Sequence, residues 1–119
     1  MHRLIPWDKD NTFADVNRGI FARTDENVLV RRALGYQDLR ALYLDTLEEC
    51  ARAAAEDGWL AGEIDRLAAL AAAPVAEDPL KQFSTEAFDE AVDRLRRYAA
   101  VRPGFVVQEV AAARAAERD

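Results

Sequence analysis

The sequence contains very few of the residues that most often carry nucleophilic or transition-metal chemistry. His2, Cys50 and Ser84 are the only residues of their kinds. A single cysteine excludes an intrachain disulfide, and one histidine with one cysteine cannot complete a closed zinc site. Cys50 falls within a predicted helix among small apolar residues, so we expect a buried hydrophobe rather than a reactive thiol. Because Ser84 is also the predicted N-cap of a helix, no nucleophilic triad is indicated.

Patterns typical of nucleotide, nucleic-acid or membrane binding are also missing. The five glycines form neither GxGxxG nor GxxxxGK[ST]. The formal net charge of −6 disfavours nucleic acid and anionic membrane surfaces, which attract basic proteins. No apolar run approaches the length of a membrane span, and the N-terminus shows no signal-peptide pattern. We therefore expect neither a nucleic-acid partner nor a membrane partner.

The 119 residues, half of them hydrophobic, fit a single domain with one core. We predict two parts within it. Residues 1–24 form a short strand, about His2 to Trp7, and a loop that is a candidate metal-binding segment. Residues 25–119 form a helical subdomain. Ile20 and Phe21 are expected to attach the loop to the core.

Apolar residues recur at helical spacing after residue 24 and predict about five packed helices. Gly35, Gly58 and Pro74 mark helix ends, and Pro103 is expected to begin the last helix. The predicted fold class is therefore mainly α, with a short N-terminal strand and loop. The predicted helices span residues 25–34, 37–56, 59–72, 85–101 and 103–116.

The candidate chemistry lies in Asp8 and Asp10, which are separated by one residue after the predicted strand. Hard oxygen ligands of this kind suit Mg²⁺, which completes its shell with water and phosphate oxygens. The alternative is that both carboxylates are solvated turn residues. On spacing alone we favour the turn, because D-x-D is common in loops. Trp7 could support a site, but a core aromatic is the more frequent role.

Other charged residues have the same two interpretations. Arg31, Arg32 and a group on the predicted fourth helix could bind phosphate, but solvated, ion-paired helix faces are favoured. In that group we expect Glu90–Arg94 and Asp93–Arg97 pairs on the outer face. Asp78 precedes a proline and could be a loop ligand, although a turn or capping role is favoured. These residues are Arg31, Arg32, Asp78, Arg94, Arg96 and Arg97.

Several segments, taken in order, resemble the CotH-type spore-coat protein kinases. The most specific is Ile5–Phe13, which is similar to the family's PWDxDxTF segment. Further segments resemble NxLxxRLL, YRxxYLxxL, IDxL…PxVxxD and LKxFIxxR. They are Asn27–Leu34, Tyr36–Leu47, Ile64–Leu67 with Pro74, Val75 and Asp78, and Leu95–Arg102.

The resemblance implies the C-terminal lobe of an atypical protein-kinase-like fold. Asp8 takes the part of the Mg²⁺-binding aspartate, with Asp10 as a second ligand and Trp7 as a support. Mg²⁺ and ATP are the implied cofactors of the intact parent protein. The implied activity is phosphoryl transfer to Ser/Thr hydroxyls of partner proteins, in a bacterial spore coat, at the cell surface or after secretion.

The sequence also departs from the family pattern. Ala14 stands where a glycine is expected after Phe13, and Lys9 lies between the two aspartates rather than on a neighbouring strand. The N-terminal lobe, with its phosphate-contacting lysine and catalytic aspartate, is expected before Met1 and would be the main partner. We therefore predict an inactive isolated chain that self-associates through exposed apolar surface. The competing hypothesis is a non-catalytic helical interaction module.

Overall fold

The computed structural model describes residues 13–118, whose regular secondary structure is entirely helical. α1 (Val28–Ala33) is short, and the other α-helices are long. A 3₁₀ turn, Glu56–Gly58, separates the second and third helices. The long helices are α2 (Gln37–Ala55), α3 (Trp59–Glu77) and α4 (Thr85–Ala116).

α4 is the central helix of the molecule, because both α2 and α3 pack against it. Its 32 residues span about 48 Å at the rise of an α-helix. The residues that α4 buries recur at steps of three, four and seven, as expected for one helix face. They are Val92, Ala99, Pro103, Val106 and Val110.

The main core lies where α2 crosses the C-terminal half of α4. Leu44 and Ala51 of α2 meet Val106 and Val110 of α4, and Ile20 enters from the N-terminal segment. Leu44 and Val110 are the largest fully buried side chains. Because Ile20 lies far from the others in sequence, this core joins the segment before α1 to both long helices.

The predicted fold class, a strand and loop followed by about five helices in the manner of a kinase C-terminal lobe, is wrong. The structure has three long helices and the short α1, and no strand occurs among residues 13–118. The strand predicted at about His2 to Trp7 lies outside the described residues. The fourth and fifth predicted helices form one continuous helix, α4, with Pro103 inside it.

Two prolines lie inside helices that were predicted to begin or end at them. An interior proline removes one hydrogen bond and crowds the carbonyl four residues earlier, but its φ is close to the helical value, so packing can hold the helix through it. Pro103 is buried, and its packing offsets the missing hydrogen bond to the Ala99 carbonyl. Pro74 lies inside α3, which continues to Glu77 instead of ending at Ala72.

The start of α1 also differs from the prediction. The helix was predicted from residue 25, but Asn27 caps it, and the Asn27 side chain accepts hydrogen bonds from the Leu29 and Val30 amides at 3.0 and 3.2 Å. The helix ends just before Gly35, where Leu34 closes it with right-handed geometry. Thr24, Asp25 and Asn27 are all good capping residues, so the choice among them could not be made from sequence.

Other junctions are as predicted. Ser84 caps α4 by accepting a hydrogen bond from the Ala87 amide at 3.1 Å. Gly58 has φ of 70° in the break between α2 and α3, a conformation that glycine adopts without a Cβ clash. Lys81, for which no role was predicted, joins α3 to α4, since its ammonium donates to the Val75 carbonyl at 2.8 Å and the Thr85 hydroxyl at 3.0 Å.

The prediction that Cys50 is buried is wrong, because its side chain is exposed. α2 turns Leu44 and Ala51 toward α4, with Tyr43 and Leu47 at the edges of the contact. Cys50 precedes Ala51 by one residue, which places it about 100° around the helix and away from α4. The helix was thus predicted at the correct place, but Cys50 lies on a different face from the one that contacts α4.

Ion pairs add a second link between α2 and α4. Arg114 of α4 donates to Asp45 at 2.5 Å and also to Glu48. Arg52 donates to the same Glu48 carboxylate from one turn further along α2. The hydrogen bonds from Arg52 and Arg114 lower the pKa of Glu48. The link is exposed at Asp45 and Arg52, so its effect on stability is small.

Candidate functional site

The sequence-predicted site residues Trp7, Asp8 and Asp10 lie outside the described residues. The structure does describe the segment that follows them, residues 13–24, which we call the strap. Asp10 precedes Phe13 by three residues, so covalent geometry keeps their Cα atoms within about 11 Å.

The strap begins on α4. The Phe13 ring packs edge-on against the Tyr98 ring, with 5.1 Å between the ring centroids. Phe13, Val16 and Tyr98 line an open groove between the strap and α4, and Arg94 and Arg97 lie along it. The groove therefore combines an apolar floor with two cationic side chains beside Phe13, the first residue of the strap.

Arg102 of α4 holds the middle of the strap. One nitrogen of its guanidinium donates to the Val16 carbonyl at 3.0 Å and to the Arg18 carbonyl at 2.6 Å. The guanidinium also lies over the Phe105 ring, 5.2 Å from its centroid. Because the strap has no helix or sheet to satisfy its carbonyls, these side-chain hydrogen bonds replace a backbone ladder.

Tyr43 of α2 holds the next part of the strap. Its hydroxyl donates to the carbonyl of Ile20, whose side chain is buried in the core as predicted. Burial raises the pKa of the Tyr43 phenol, and the nearby charge of Arg102 opposes part of this shift. Phe21 packs against the Tyr43 ring and beneath the Arg40 guanidinium, at 5.8 and 4.5 Å. The strap is thus fixed to α2 and α4 together.

The ion pairs that the α4 arginines make differ from those predicted. The expected Glu90–Arg94 and Asp93–Arg97 pairs are absent from residues 13–118. Instead Arg96 pairs with Asp93 at 2.8 Å and with Asp65 of α3 at 2.7 Å. The prediction of an ion-paired outer face was correct in kind but chose the wrong arginines, because the α3 side of α4 could not be located from sequence.

Asp78 has the turn role that was favoured for it, since its carboxylate accepts a hydrogen bond from the Leu80 amide at 2.8 Å. Over the described part of the chain, no group of three or more His, Cys, Asp or Glu residues is arranged to hold a metal ion. Asp8 and Asp10 lie outside that part, so their role as metal ligands stays a prediction.

None of the helices described between residues 13 and 118 has the length and apolar character required to cross a membrane.

Sequence reasoning missed Arg102 and Tyr43 as the residues that hold the strap. A signal for both was present. Arg102 falls between Ala99 and Val106 at helical spacing, and Tyr43 lies next to Leu44, so each is a polar group at the edge of a buried stripe. Such groups require an internal hydrogen-bond partner. The identity of the partner could not be predicted, because Arg102 contacts residues more than 80 positions away.

Comparison with known proteins gives one positive result. No curated protein matches the chain significantly. No solved structure matches it significantly either. The model of the family described as CotH kinase protein matches residues 2–106, a range that contains the Asp8–Asp10 segment, the strap and Arg102. The resemblance found in the sequence is therefore confirmed, and the chain belongs to the CotH kinase protein family.

Proposed function

We propose that this chain supplies the divalent-metal ligands for ATP-dependent phosphoryl transfer to Ser/Thr hydroxyls of a partner protein, carried out by an intact parent protein. The observation that supports it most is the strap, which connects the Asp8–Asp10 segment to two helices. A loop fixed in this way suits ligands that must meet a nucleotide in one orientation. Membership of the CotH kinase family supports the kinase class and an association with the spore coat.

The residues available fit a magnesium ion. Asp8 and Asp10 offer carboxylate oxygens, and Mg²⁺ usually binds one or two protein carboxylates together with water and nucleotide phosphates. When bound, the metal would offset the charge that develops on the transferred phosphoryl group. Arg94 and Arg97 lie in the groove beside Phe13, where their charge would attract the anionic nucleotide.

The chain's own residues do not complete a kinase site. The sequence has no glycine-rich phosphate loop, and its two lysines do not serve as the phosphate-contacting lysine: Lys9 lies between the aspartates and Lys81 joins α3 to α4. In this proposal the nucleotide-covering lobe and the catalytic base come from an N-terminal lobe of the parent protein.

The first test is direct. We expect the purified 119-residue chain to transfer no phosphate from radiolabelled ATP to itself or to a general Ser/Thr acceptor protein in the presence of Mg²⁺. Phosphorylation by the wild-type chain that disappears in Asp8→Ala would show that the chain is a complete kinase and would overturn this part of the proposal.

The second test concerns the metal site. Trp7 precedes Asp8, so its fluorescence should respond to Mg²⁺ or to Mg²⁺ with ADP, once Trp59→Phe has removed the other tryptophan. Asp8→Asn should abolish the response, while Asp15→Asn, an exposed change beyond Phe13, should leave it intact. No response in the wild-type sequence under either condition would contradict the metal site.

A second candidate function is a non-catalytic helical interaction module. The observation in its favour is the number of large apolar side chains that face solvent, among them Leu29, Leu42, Leu70 and Leu80. A surface of this kind is typical of a protein-binding face. Metal-independent association together with an unresponsive Trp7 would favour the module over the kinase.

A further inference from the structure

The groove between the strap and α4 presents apolar surface together with positive charge. Phe13 and Val101, which line it, are each about half exposed. Arg94 and Arg97 lie along the same groove. Unlike Arg96, which pairs with carboxylates on α3 and α4, neither of these guanidinium groups has a carboxylate partner among residues 13–118. The groove therefore suits a ligand that is both apolar and negatively charged.

The size of the groove indicates what kind of ligand fits. Its volume is about 890 Å³. A space of this size takes a group much larger than a single ion, such as a short turn of polypeptide.

The turn between α3 and α4 has the complementary character. We call residues 77–80 the tip. Leu80 is 86% exposed, and Glu77 and Asp78, which precede it by three and two residues, are also exposed. The tip therefore presents one apolar side chain with two carboxylates beside it, the combination that the groove suits.

The tip is also ordered before any partner binds. The Asp78 carboxylate accepts a hydrogen bond from the Leu80 amide at 2.8 Å, and Pro79 restricts the backbone between them. Lys81 follows the tip, but its ammonium already donates to two carbonyls at the C-terminal end of α3, at 2.8 and 3.2 Å. A turn that is fixed in advance loses little conformational entropy on binding.

The tip and the groove do not meet within one copy of the chain. Leu80 faces solvent and is not among the residues that line the groove. A contact between them must therefore join two copies through unlike surfaces. Such a contact is heterologous, and it leaves a free tip at one end of the assembly and a free groove at the other, so further copies can add head to tail.

We propose that the tip of one copy docks in the groove of the next, with Leu80 on the apolar floor and with Glu77 and Asp78 against Arg94 and Arg97. Leu80 supplies most of the affinity, because exposed ion pairs contribute little, and the charges set the orientation. The contact gives the expected self-association a defined geometry, and it does not depend on the proposed kinase function.

The experiment measures self-association of the full 119-residue chain by sedimentation velocity over a series of concentrations. Leu80→Ser removes the apolar anchor of the tip, and Arg94→Glu with Arg97→Glu makes the groove repel the tip. We expect each variant to raise the Kd about 10-fold or more. Leu29→Ser, at a similarly exposed leucine on α1, is the control and should leave the Kd within about twofold. Unchanged helical circular dichroism shows that each variant is folded.

Mixing the two variants tests the head-to-tail geometry. Leu80→Ser keeps an intact groove, and Arg94→Glu with Arg97→Glu keeps an intact tip. Neither should associate alone at concentrations where the wild type does, whereas their mixture should form a heterodimer that cannot extend.

A charge exchange tests the orientation. A tip that carries Glu77→Lys should bind the groove that carries Arg94→Glu and Arg97→Glu more tightly than the wild-type tip does, because attraction replaces repulsion. General association of apolar surfaces would show no such preference. A wild-type chain that stays monomeric, a mixture that forms no heterodimer, or a loss in Leu29→Ser equal to that in Leu80→Ser would each overturn the proposal and leave the proposed function standing.

Discussion

At the residue scale, the molecule depends on a few polar side chains that lie at the edges of its apolar contacts. Tyr43 is the clearest example, because its ring packs against Phe21 while its hydroxyl donates a hydrogen bond to the carbonyl of Ile20. Arg102 does the same for Val16 and Arg18. Each residue combines an apolar body with a polar end, which is why both can join an irregular segment to a helical core.

Tyr43→Phe tests the value of one such bond. The substitution keeps the ring but leaves the Ile20 carbonyl without its partner, so we expect a loss of about 1–2 kcal/mol in the free energy of unfolding. Urea denaturation followed by circular dichroism measures it. Tyr36→Phe is the matched control, because Tyr36 is 65% exposed and should change stability little. Equal effects of the two substitutions would show that the Tyr43 hydrogen bond contributes nothing.

The same residue predicts a change of stability at high pH. The pKa of Tyr43 is raised in the folded chain, so the folded state holds this proton more tightly than the unfolded state. The contribution is fully present below the unfolded pKa of about 10 and is lost as the pH rises through the folded value. Urea midpoints measured between pH 8 and about 11 should fall less steeply in Tyr43→Phe than in the wild type.

At the scale of elements, α2 and α4 are joined by Glu48, which accepts from Arg52 on its own helix and from Arg114 on the other. The lowered pKa of Glu48 means that the folded state releases this proton more readily. The contribution is therefore present above the unfolded pKa and is lost as the pH falls through the folded value.

Glu48→Gln should accordingly reduce the loss of stability between neutral pH and about pH 3, by a small amount because the arginine partners are solvated. Thermal unfolding at the two pH values measures the difference. Glu49→Gln removes a carboxyl from the exposed position next to it and is the matched control. A larger loss of stability at acid pH in Glu48→Gln than in the wild type would contradict a stabilising role for the ionised Glu48 carboxylate.

Pro74 offers a test of the interior of α3. It removes the hydrogen bond to the Leu70 carbonyl in an exposed part of the helix, so its ring gains little from packing. Pro74→Ala should restore the bond and stabilise the chain by about 1–2 kcal/mol. Pro79→Ala, outside any helix, should instead destabilise slightly by adding freedom to the unfolded chain. A lower melting temperature for Pro74→Ala would show that the proline is required where it is.

These elements also show what sequence can predict. The Ser84 cap and the break at Gly58 follow from local chemistry, and both were predicted. The continuation of helices through Pro74 and Pro103 was not predicted, because packing of the whole helix against its neighbours outweighs one missing backbone hydrogen bond. The strap contacts were also missed, since the partners of Arg102 and Tyr43 depend on how distant elements meet.

For the candidate site, only the family and the identity of the aspartates could be proposed from sequence. The family match confirms the first, and the second remains a prediction because Asp8 and Asp10 lie outside the described residues. The structure adds to the predicted attachment through Ile20 the hydrogen bonds by which Tyr43 and Arg102 hold the strap to α2 and α4.

At the scale of the whole molecule, the chain is long and thin. Its Cα radius of gyration is 17.7 Å, against about 13.5 Å for a compact domain of this size. Three long helices that share one narrow core leave much of their apolar surface in water. Leu29 and Leu80 are 75% and 86% exposed. This surface supports the proposal that the chain self-associates when no partner covers it.

Sedimentation equilibrium tests this expectation. Because the net charge is −6, copies of the chain repel one another, and salt should strengthen an association driven by apolar contact. Leu67→Lys with Leu70→Lys places charge on the exposed side of α3 and should weaken it. A chain that is monomeric at every concentration and salt level would contradict the expectation.

From the Arg102 contacts we also predict the order in which parts of the chain fold. They connect positions separated by 84 and 86 residues, whereas α2 and α4 form from neighbours along the chain. Closing so long a loop is entropically costly, so these bonds form late in folding, and φ-values at Arg102 should lie near zero. The strap should then be the first part to open, with fast amide exchange and protease cleavage before α1 while the helices stay protected.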